Sequence, residues 1–598
     1  MNIKIKMRHF AQLGLATGGV AIIVGIASTG GIAQTSRSVE VTSGQLQAMC
    51  TADGAQQIAS SLPANRIVVK AVGNGPFKSA TSFVAATDRM PAFCQFTGTF
   101  VTNPKTGKTA NFLATFPANW NGKYLQSGCG GHCGFFIINN PAAPTISGPA
   151  QGEPGDIIQR GYAHFATDEG HEGPEFASWA VRPDGTVDQD SIDDWLFRAD
   201  RVLVRAGKDL TVAFYAKASG TSRAIARSYF NGCSGGGRDA LVAASYFPEE
   251  FDGIIAGSAY NPVGLAYQNA GIELAQSRPN ASLSPALLST MDRLVKAQCD
   301  GLDGVKDGII QNPAACHFNP ERDLPKCAND KTGGQCFTKA QVETASVMLS
   351  AVTDDRGTVI QPGYSVSELS ATSPVPGIGA AVQKVFVHRN DPAFSLKSIY
   401  QLRAGGPGPI TAFRSVVPST EVQLARAALR TGIGHFPENA DRLMRSRTKL
   451  LMWHNLSDEA LSPYMSVNYY KQLAARNGGY RKLQDKARLF LLPGTTHCSA
   501  SGIAPNSFDA LGALENWVER GTAPDALRTS VKDRQFWPGF AKASALKYPN
   551  WTQLLCKFPE MARYNGRGDV KDAANWSCPP SDRRMLKIGE TGRRAGIL

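Results

Sequence analysis

The sequence predicts an α/β fold in which a sheet domain is interrupted by a long insertion. Three observations carry that expectation. From about residue 66 to 260, short apolar runs alternate with stretches of helical spacing, the pattern of a mostly parallel sheet. After about Ala259 the chain turns loop-rich, with Pro and Gly concentrated in stretches such as GGPGPIT and SPVPGIG. From about residue 447 the α/β alternation resumes.

Residues 1–33 read as a removed signal peptide. Lys4, Lys6 and Arg8 make a basic start, Leu13 to Ala27 an apolar core, and Gly31-Ile32-Ala33 a small-residue cleavage site. The apolar core is too short and too glycine-rich to serve comfortably as a membrane anchor. Residues 34–258 are expected to form the first part of the sheet domain. There RIVVKAV, ANFLATF and YAHFATD read as buried strands, and WLFRADRVLVRAGKDLTVAFYAK has helical spacing. Residues 259–446 form the insertion, expected to cover the loop end of the sheet as a lid. Residues 447–580 complete the domain. KLLMWHNLSD and ARLFLLPGTTHC are each a strand followed by a loop, and FDALGALENWVERG places Phe508, Leu511, Leu514 and Trp517 on one helical face. Residues 581–598 read as a basic tail.

The bulk composition narrows the function classes. With 598 residues, 42% hydrophobic and 19% charged, the chain can bury a large core. The net charge of +13 is not gathered into a Lys/Arg run with interleaved aromatics, which argues against a nucleic-acid partner. Beyond the signal no stretch is apolar enough to span a bilayer, so no membrane association is expected after cleavage. Twelve cysteines in an exported chain read as a disulfide framework. A zinc site is disfavoured, because Cys129 and Cys133 lack a second matching pair. Nothing in the sequence speaks to oligomeric state.

Chemistry concentrates at NGCSGGGRDA. Gly232-Cys233-Ser234-Gly235-Gly236 fits G-x-S-x-G between a strand, Arg227 to Phe230, and a helix from about Gly236. That context is the nucleophile elbow, in which a sharp turn exposes the serine hydroxyl and aims the next backbone N–H at a developing oxyanion. The serine needs a base, and the base an orienting acid. In α/β-hydrolases they follow in the order Ser, acid, His. Asp458, after KLLMWHNLS, and His497, after ARLFLLPGTT, meet that order. His454 also follows a strand, but at four residues from Asp458 it reads as too near to be its partner. The glycine-rich SGCGGHCG, residues 127 to 134, suits a second oxyanion donor. A bond between Cys233 and Cys498 would tie the serine turn to the histidine loop. CDGLDGVKDGII packs Asp300, Asp303 and Asp307 among glycines. Either a calcium loop or a solvated acidic turn satisfies that spacing.

Together, Cys233-Ser234, Asp458 and His497-Cys498 resemble the Cys-Ser, Asp, His-Cys arrangement of the tannase and feruloyl esterase family. WNGKYLQSGCGGHCG, ATDEGH, GCSGGGRDA, CDGLDGVKDGII and LPGTTHC extend the resemblance over nearly the whole mature chain. It implies an α/β-hydrolase fold with a large inserted lid domain, with Ser234 as nucleophile, His497 as base and Asp458 as orienting acid. It implies N–H donors at Gly131 and Gly235, although the family often has Thr or Glu at the latter position. Disulfides Cys50–Cys94, Cys233–Cys498, Cys299–Cys316, Cys327–Cys336 and Cys556–Cys578 are implied, leaving Cys129 and Cys133 as an extra pair. A structural Ca2+ in the lid is implied too, held by Asp300, Asp303, Asp307 and the carbonyls of Val305 and Ile309.

Substrate choice in this family resides largely in the lid. Phe386, Tyr400, Arg403, Phe413 and Arg414 are candidate contacts, as aromatics that could stack on a phenolic ring or arginines that could pair with a carboxylate. Leu461 stands where the family's terephthalate-ester hydrolase has an aromatic. The expected protein is a secreted or periplasmic carboxylic ester hydrolase acting on small esters of aromatic acids, galloyl or feruloyl foremost. A serine peptidase, or a non-catalytic binder of phenolics or polysaccharide, are the alternatives.

Overall fold

A computed structural model describes residues 39–62, 67–72, 78–88, 90–136, 154–173, 176–259, 261–367, 378–404, 413–429, 441–499, 502–532 and 547–580. The expected signal and basic tail lie outside them. The described residues all fall within one compact unit.

Ten strands make the central sheet: β1 (Ile67–Val69), β2 (Thr81–Val84), β3 (Phe93–Asn103), β4 (Lys108–Pro117), β5 (Lys123–Ser127), β6 (Ala163–Thr167), β7 (Arg227–Cys233), β8 (Gly253–Gly257), β9 (Lys449–Asn455) and β10 (Ala487–Leu492). Their order is β10-β9-β8-β7-β5-β6-β4-β3-β1, with β2 also paired to β3. From β10 through β6 every pairing is parallel, and from β6 outward every pairing is antiparallel. This is an α/β-hydrolase sheet. Its parallel part is buried on both faces, as helical crossovers require. Successive residues feed two different cores. Phe230, Ile254 and Met452 enter one. Tyr229, Ile255, Leu451 and Trp453 enter the other, beneath Leu511, Leu514 and Trp517. The expected strand in RIVVKAV departs from full burial: β1 is an edge strand, so Ile67 and Val69 face inward while Val68 is 48% exposed.

Helix α1 (Ala199–Ser219) comes from the stretch read as helical, and α2 (Gly235–Tyr246) starts one residue after Ser234. Between β8 and β9 the chain leaves the sheet. The expectation of loops there is only partly met, because the segment contains α3 (Pro262–Gln276), α4 (Pro285–Cys299) and α5 (Lys339–Leu349). Pro262 and Pro285 occupy the first helical position, where a missing N–H costs nothing, and Asn261 and Ser284 cap the turns. GGPGPIT, one of the two stretches that suggested loops, and most of SPVPGIG lie outside the described residues. A four-stranded sheet of Val352–Asp354, Val359–Gln361, Gln401–Ala404 and Phe413–Val417 completes the insertion. It has a core of its own around Met291, Val295, Phe337 and Met348. Its Phe386 packs edge-on against Trp195 and Trp179 of the sheet domain, with ring centres 5.0 and 5.6 Å apart.

After β9 the chain forms α6 (Tyr464–Arg476), and after β10 it forms α7 (Ala510–Arg520). The buried face of α7 is that expected from Leu511, Leu514 and Trp517, whereas Phe508 precedes the helix and is buried in the same core. All six cysteine pairs are bonded: 50–94, 129–133, 233–498, 299–316, 327–336 and 556–578.

Candidate active site

Ser234, Asp458 and His497 stand on the loops that follow β7, β9 and β10, three parallel strands that all end on the same edge of the sheet. In open α/β sheets that edge is where ligands bind. Ser234 has φ 64° and ψ −119°, a conformation forced on a non-glycine residue by the turn from strand to helix. Its N–H donates to the Gly257 carbonyl at 3.0 Å, which fixes the turn against β8. The N–H groups of the first turn of α2 have no acceptor within the helix, and the helix dipole adds positive potential there.

The loop expected to supply a second donor lies directly on this turn. Gly236 N–H donates to the Cys129 carbonyl at 2.6 Å. A Cβ at Gly235 would stand 2.4 Å from the Gly131 carbonyl oxygen. A side chain at that position has no room here, so glycine permits the close seating of the Gly128–Cys133 loop. Gly131 itself has φ 57°.

His497 Nδ1 lies 2.8 Å from Asp458 Oδ2, so the imidazole donates there and leaves its Nε2 lone pair free. Nε2 is 3.7 Å from Cys498 Sγ. That sulfur is bonded to Cys233, the residue before Ser234, with Cα atoms 6.1 Å apart. The bridge thus holds the elbow and the histidine loop together. Asn455 fixes the same loop from below, donating through Nδ2 to Thr495 Oγ1 at 2.6 Å and Ser499 Oγ at 2.7 Å.

Asp458 is fully buried, which alone would raise its pKa. His497, His454 and their contacts outweigh burial and hold the carboxylate well below its usual range. It also accepts the N–H groups of Ala460 and Leu461 at 3.1 and 2.8 Å. Burial disfavours the His497 imidazolium, but the Asp458 carboxylate, its hydrogen bond and nearby Glu459 raise the pKa above the ordinary histidine value. Glu459 Oε2 accepts the His497 N–H at 2.9 Å. His454 Nε2 also lies 3.3 Å from Asp458 Oδ2, close but not aligned as a hydrogen bond, which His497 makes instead. The loop after β9 turns back on itself, so four residues of separation bring the two side chains together.

Sequence reasoning also missed a buried charge cluster under the Gly128–Cys133 loop. Arg238 Nη2 contacts Asp239 Oδ1 at 2.6 Å and Glu169 Oε2 at 2.9 Å, and its guanidinium stacks 4.1 Å from the Trp195 ring. Asp200 adds a third carboxyl, bound by Gln126 Nε2 at 2.7 Å. Burial and mutual repulsion push Glu169 well above the carboxylate range and Asp200 up to about 7. Cys129 and Cys133 approach the Glu169 and Asp239 carboxyls, but the two sulfurs are bonded to each other and offer no thiolate to a metal. The helical spacing of Asp200 in α1, and Glu169 in ATDEGH, gave no hint of this convergence.

The acidic loop folds as a short helical turn, Asp300–Asp303, at the end of α4. Asp300 accepts the Gly308 N–H at 2.9 Å, and Asp303 Oδ1 accepts the Val305 N–H at 3.0 Å. Asp307 Oδ1 accepts the Ile309 N–H at 3.0 Å. Asp303 Oδ2 is buried without a hydrogen-bond donor. Burial and the neighbouring aspartates push Asp303 up to about 7 and Asp307 up to about 6.

Of the candidate substrate contacts, Leu461 is tied to the site through its N–H on Asp458, with its side chain buried. Arg403 and Arg414 pair across two insertion strands. Arg403 is exposed and bonds Gln401, and Phe413 lies 5.3 Å under the Arg278 guanidinium. Phe386 and Tyr400 are buried packing residues.

A sequence profile described as "Tannase and feruloyl esterase" matches residues 94–394 and 441–579. The mono(2-hydroxyethyl) terephthalate hydrolase of Piscinibacter sakaiensis is 28% identical over 567 residues, covering 84% of this chain and 88% of that protein. A probable feruloyl esterase of Arthroderma benhamiae is 30% identical over 484 residues, covering 77% and 81%. Among solved structures, feruloyl esterase B from Aspergillus oryzae superposes with a TM-score of 0.67 at 24% identity, over 88% of this chain and all of that one. Tannin acyl hydrolase from Aspergillus niger gives 0.64 at 18%, over 93% and 98%. The chain belongs to the tannase and feruloyl esterase family and is a carboxylic ester hydrolase.

Proposed function

We propose that the protein cleaves esters of aromatic acids through an acyl-enzyme, with Ser234, His497 and Asp458 as the triad. The observation that carries this reading is the His497–Asp458 hydrogen bond of 2.8 Å on a loop bridged to the residue before Ser234. Ser234 Oγ attacks the ester carbonyl carbon while its proton passes to His497 Nε2. The N–H groups of Gly131 and Gly235 receive the oxyanion. The bond to the alcohol oxygen then breaks, and His497 returns the proton to the leaving alcohol. Water repeats the sequence on the acyl-serine and releases the acid.

The substrate class rests on the feruloyl esterase, tannase and terephthalate-ester relatives. The insertion strands bearing Arg403, Phe413 and Arg414 would read the acyl ring or its substituents. Six disulfides, with no helix among the described residues long and apolar enough to cross a membrane, support export through the expected signal.

Calcium would be held by Asp303, Asp307 and Asp300 with the carbonyls of Val305 and Ile309. The unsatisfied, buried Asp303 Oδ2 and the raised Asp303 and Asp307 carboxyls fit a cation. Bound there, the ion supplies charge compensation to the insertion and takes no part in ester chemistry.

Hydrolysis of methyl gallate, methyl ferulate and mono(2-hydroxyethyl) terephthalate by the mature protein, beside Ser234→Ala, tests the reading. Turnover of at least one ester, abolished in the variant, is expected. Equal turnover by both proteins would overturn it.

A further inference from the structure

Asp458 lies between two histidines. His497 Nδ1 is 2.8 Å from its Oδ2, and His454 Nε2 is 3.3 Å from the same oxygen. The His454 ring is wholly buried at the end of β9, and its Nδ1 lies 2.7 Å from Ser466 Oγ on α6. Ser466 is buried as well. A hydroxyl can donate to Nδ1, and that bond places the imidazole proton on Nε2, the nitrogen that faces Asp458. The alternative tautomer would turn a lone pair toward a buried carboxylate, which repels. At 3.3 Å the Nε2–H is not well aligned on Oδ2, so the contact is chiefly a charge–dipole one.

We infer that His454, oriented by Ser466, is a positioning residue for the triad, holding the Asp458 carboxylate in place and tempering its basicity toward His497. The inference rests on the proposed role of Asp458 and His497. A second N–H directed at Asp458 stabilises its anion and weakens the pull of that anion on the His497 proton. Without it, the Asp458–His497 pair takes up a proton more readily, whichever of the two holds it. The other titratable groups facing the pair are Glu459, beside His497, and Tyr364, whose hydroxyl bonds the Ala460 carbonyl at 3.1 Å. Both stay in place when residue 454 changes.

The test compares wild type, His454→Gln, His454→Leu, Ser466→Ala and Ser234→Ala on p-nitrophenyl acetate, with kcat, KM and the pH profile of kcat/KM. His454→Leu is expected to lower kcat by about ten- to a hundred-fold with KM within two-fold, and to move the acid limb to higher pH. His454→Gln, which keeps an N–H toward Asp458, is expected to recover most of the loss. Ser466→Ala is expected to fall between, and it carries the test if His454→Leu does not fold by circular dichroism. A folded His454→Leu, or failing that Ser466→Ala, with wild-type kcat and an unmoved acid limb would overturn the inference. So would a folded His454→Gln as impaired as His454→Leu. Ser234→Ala separates the two readings: full activity there sinks the triad itself, whereas an inactive Ser234→Ala beside unaffected His454 variants sinks only the role of His454.

Discussion

Cys233 and Cys498 are bonded across 265 residues of sequence, and each adjoins one member of the proposed catalytic pair. Closing so long a loop in the unfolded chain corresponds to about 5 kcal/mol in the chain-entropy account. Cys233→Ala/Cys498→Ala is therefore expected to lower Tm more than Cys327→Ala/Cys336→Ala, whose closed loop spans nine residues. It should also lose esterase activity at temperatures where circular dichroism still reports a folded protein, because the bridge holds base and nucleophile together. Thermal melts paired with rate measurements check both points. Equal Tm losses would show that the long bridge adds nothing special.

The raised pKa of His497 sets the pH dependence. The imidazole must be neutral to accept the serine proton. With its pKa above the ordinary value of about 6.5, kcat/KM should reach half its plateau above that pH and fall as pH drops through it. Asp458→Asn removes the charge that raises the pKa, leaving burial to lower it. The acid limb should then move below that of wild type, with kcat reduced on the order of 10⁴-fold. A pH–rate series on both proteins decides it.

Glu169 and Arg238 touch each other, yet their substitutions should differ sharply. Burial and the neighbouring carboxyls push the Glu169 pKa well above the ordinary carboxylate value, so its charged form is disfavoured. Glu169→Gln keeps the shape and removes the charge that burial disfavours, and a cost below about 1 kcal/mol is expected. Arg238→Met removes the cation that Asp239 and Glu169 share, at an expected cost of about 3–5 kcal/mol. That loss should grow as pH rises and the stranded acids ionise. Denaturant unfolding of both variants at two pH values is the measurement.

Calcium removal should act on stability. Chelation of the mature enzyme is expected to lower Tm by several degrees, with added Ca2+ restoring it, since a ligand bound to the native state stabilises by mass action. Asp303→Asn should be insensitive to both treatments. A wild-type Tm indifferent to chelator and to Ca2+ would remove the ion from the account.

What the sequence determined by itself were features written in local pattern. The β-rich runs, the elbow glycines around Ser234 and the apolar face of Leu511, Leu514 and Trp517 report on neighbours a few residues away, as does the strand–loop placement of Asp458 and His497. The order Ser, acid, His survives in one dimension because each follows a parallel strand. The insertion was harder to read, because Pro262 and Pro285 mark helix starts with the same residue that marks loops. Only the tertiary structure decided which groups meet across distant segments. Asp200, Glu169, Arg238 and Asp239 come from three separate elements, and no spacing announces their convergence. The close seat of Gly131 on Gly235 likewise depends on two loops about a hundred residues apart. His454 is the clearest case. Four residues of spacing argue against it as the catalytic partner of Asp458 and say nothing of contact, which the turn after β9 brings to 3.3 Å.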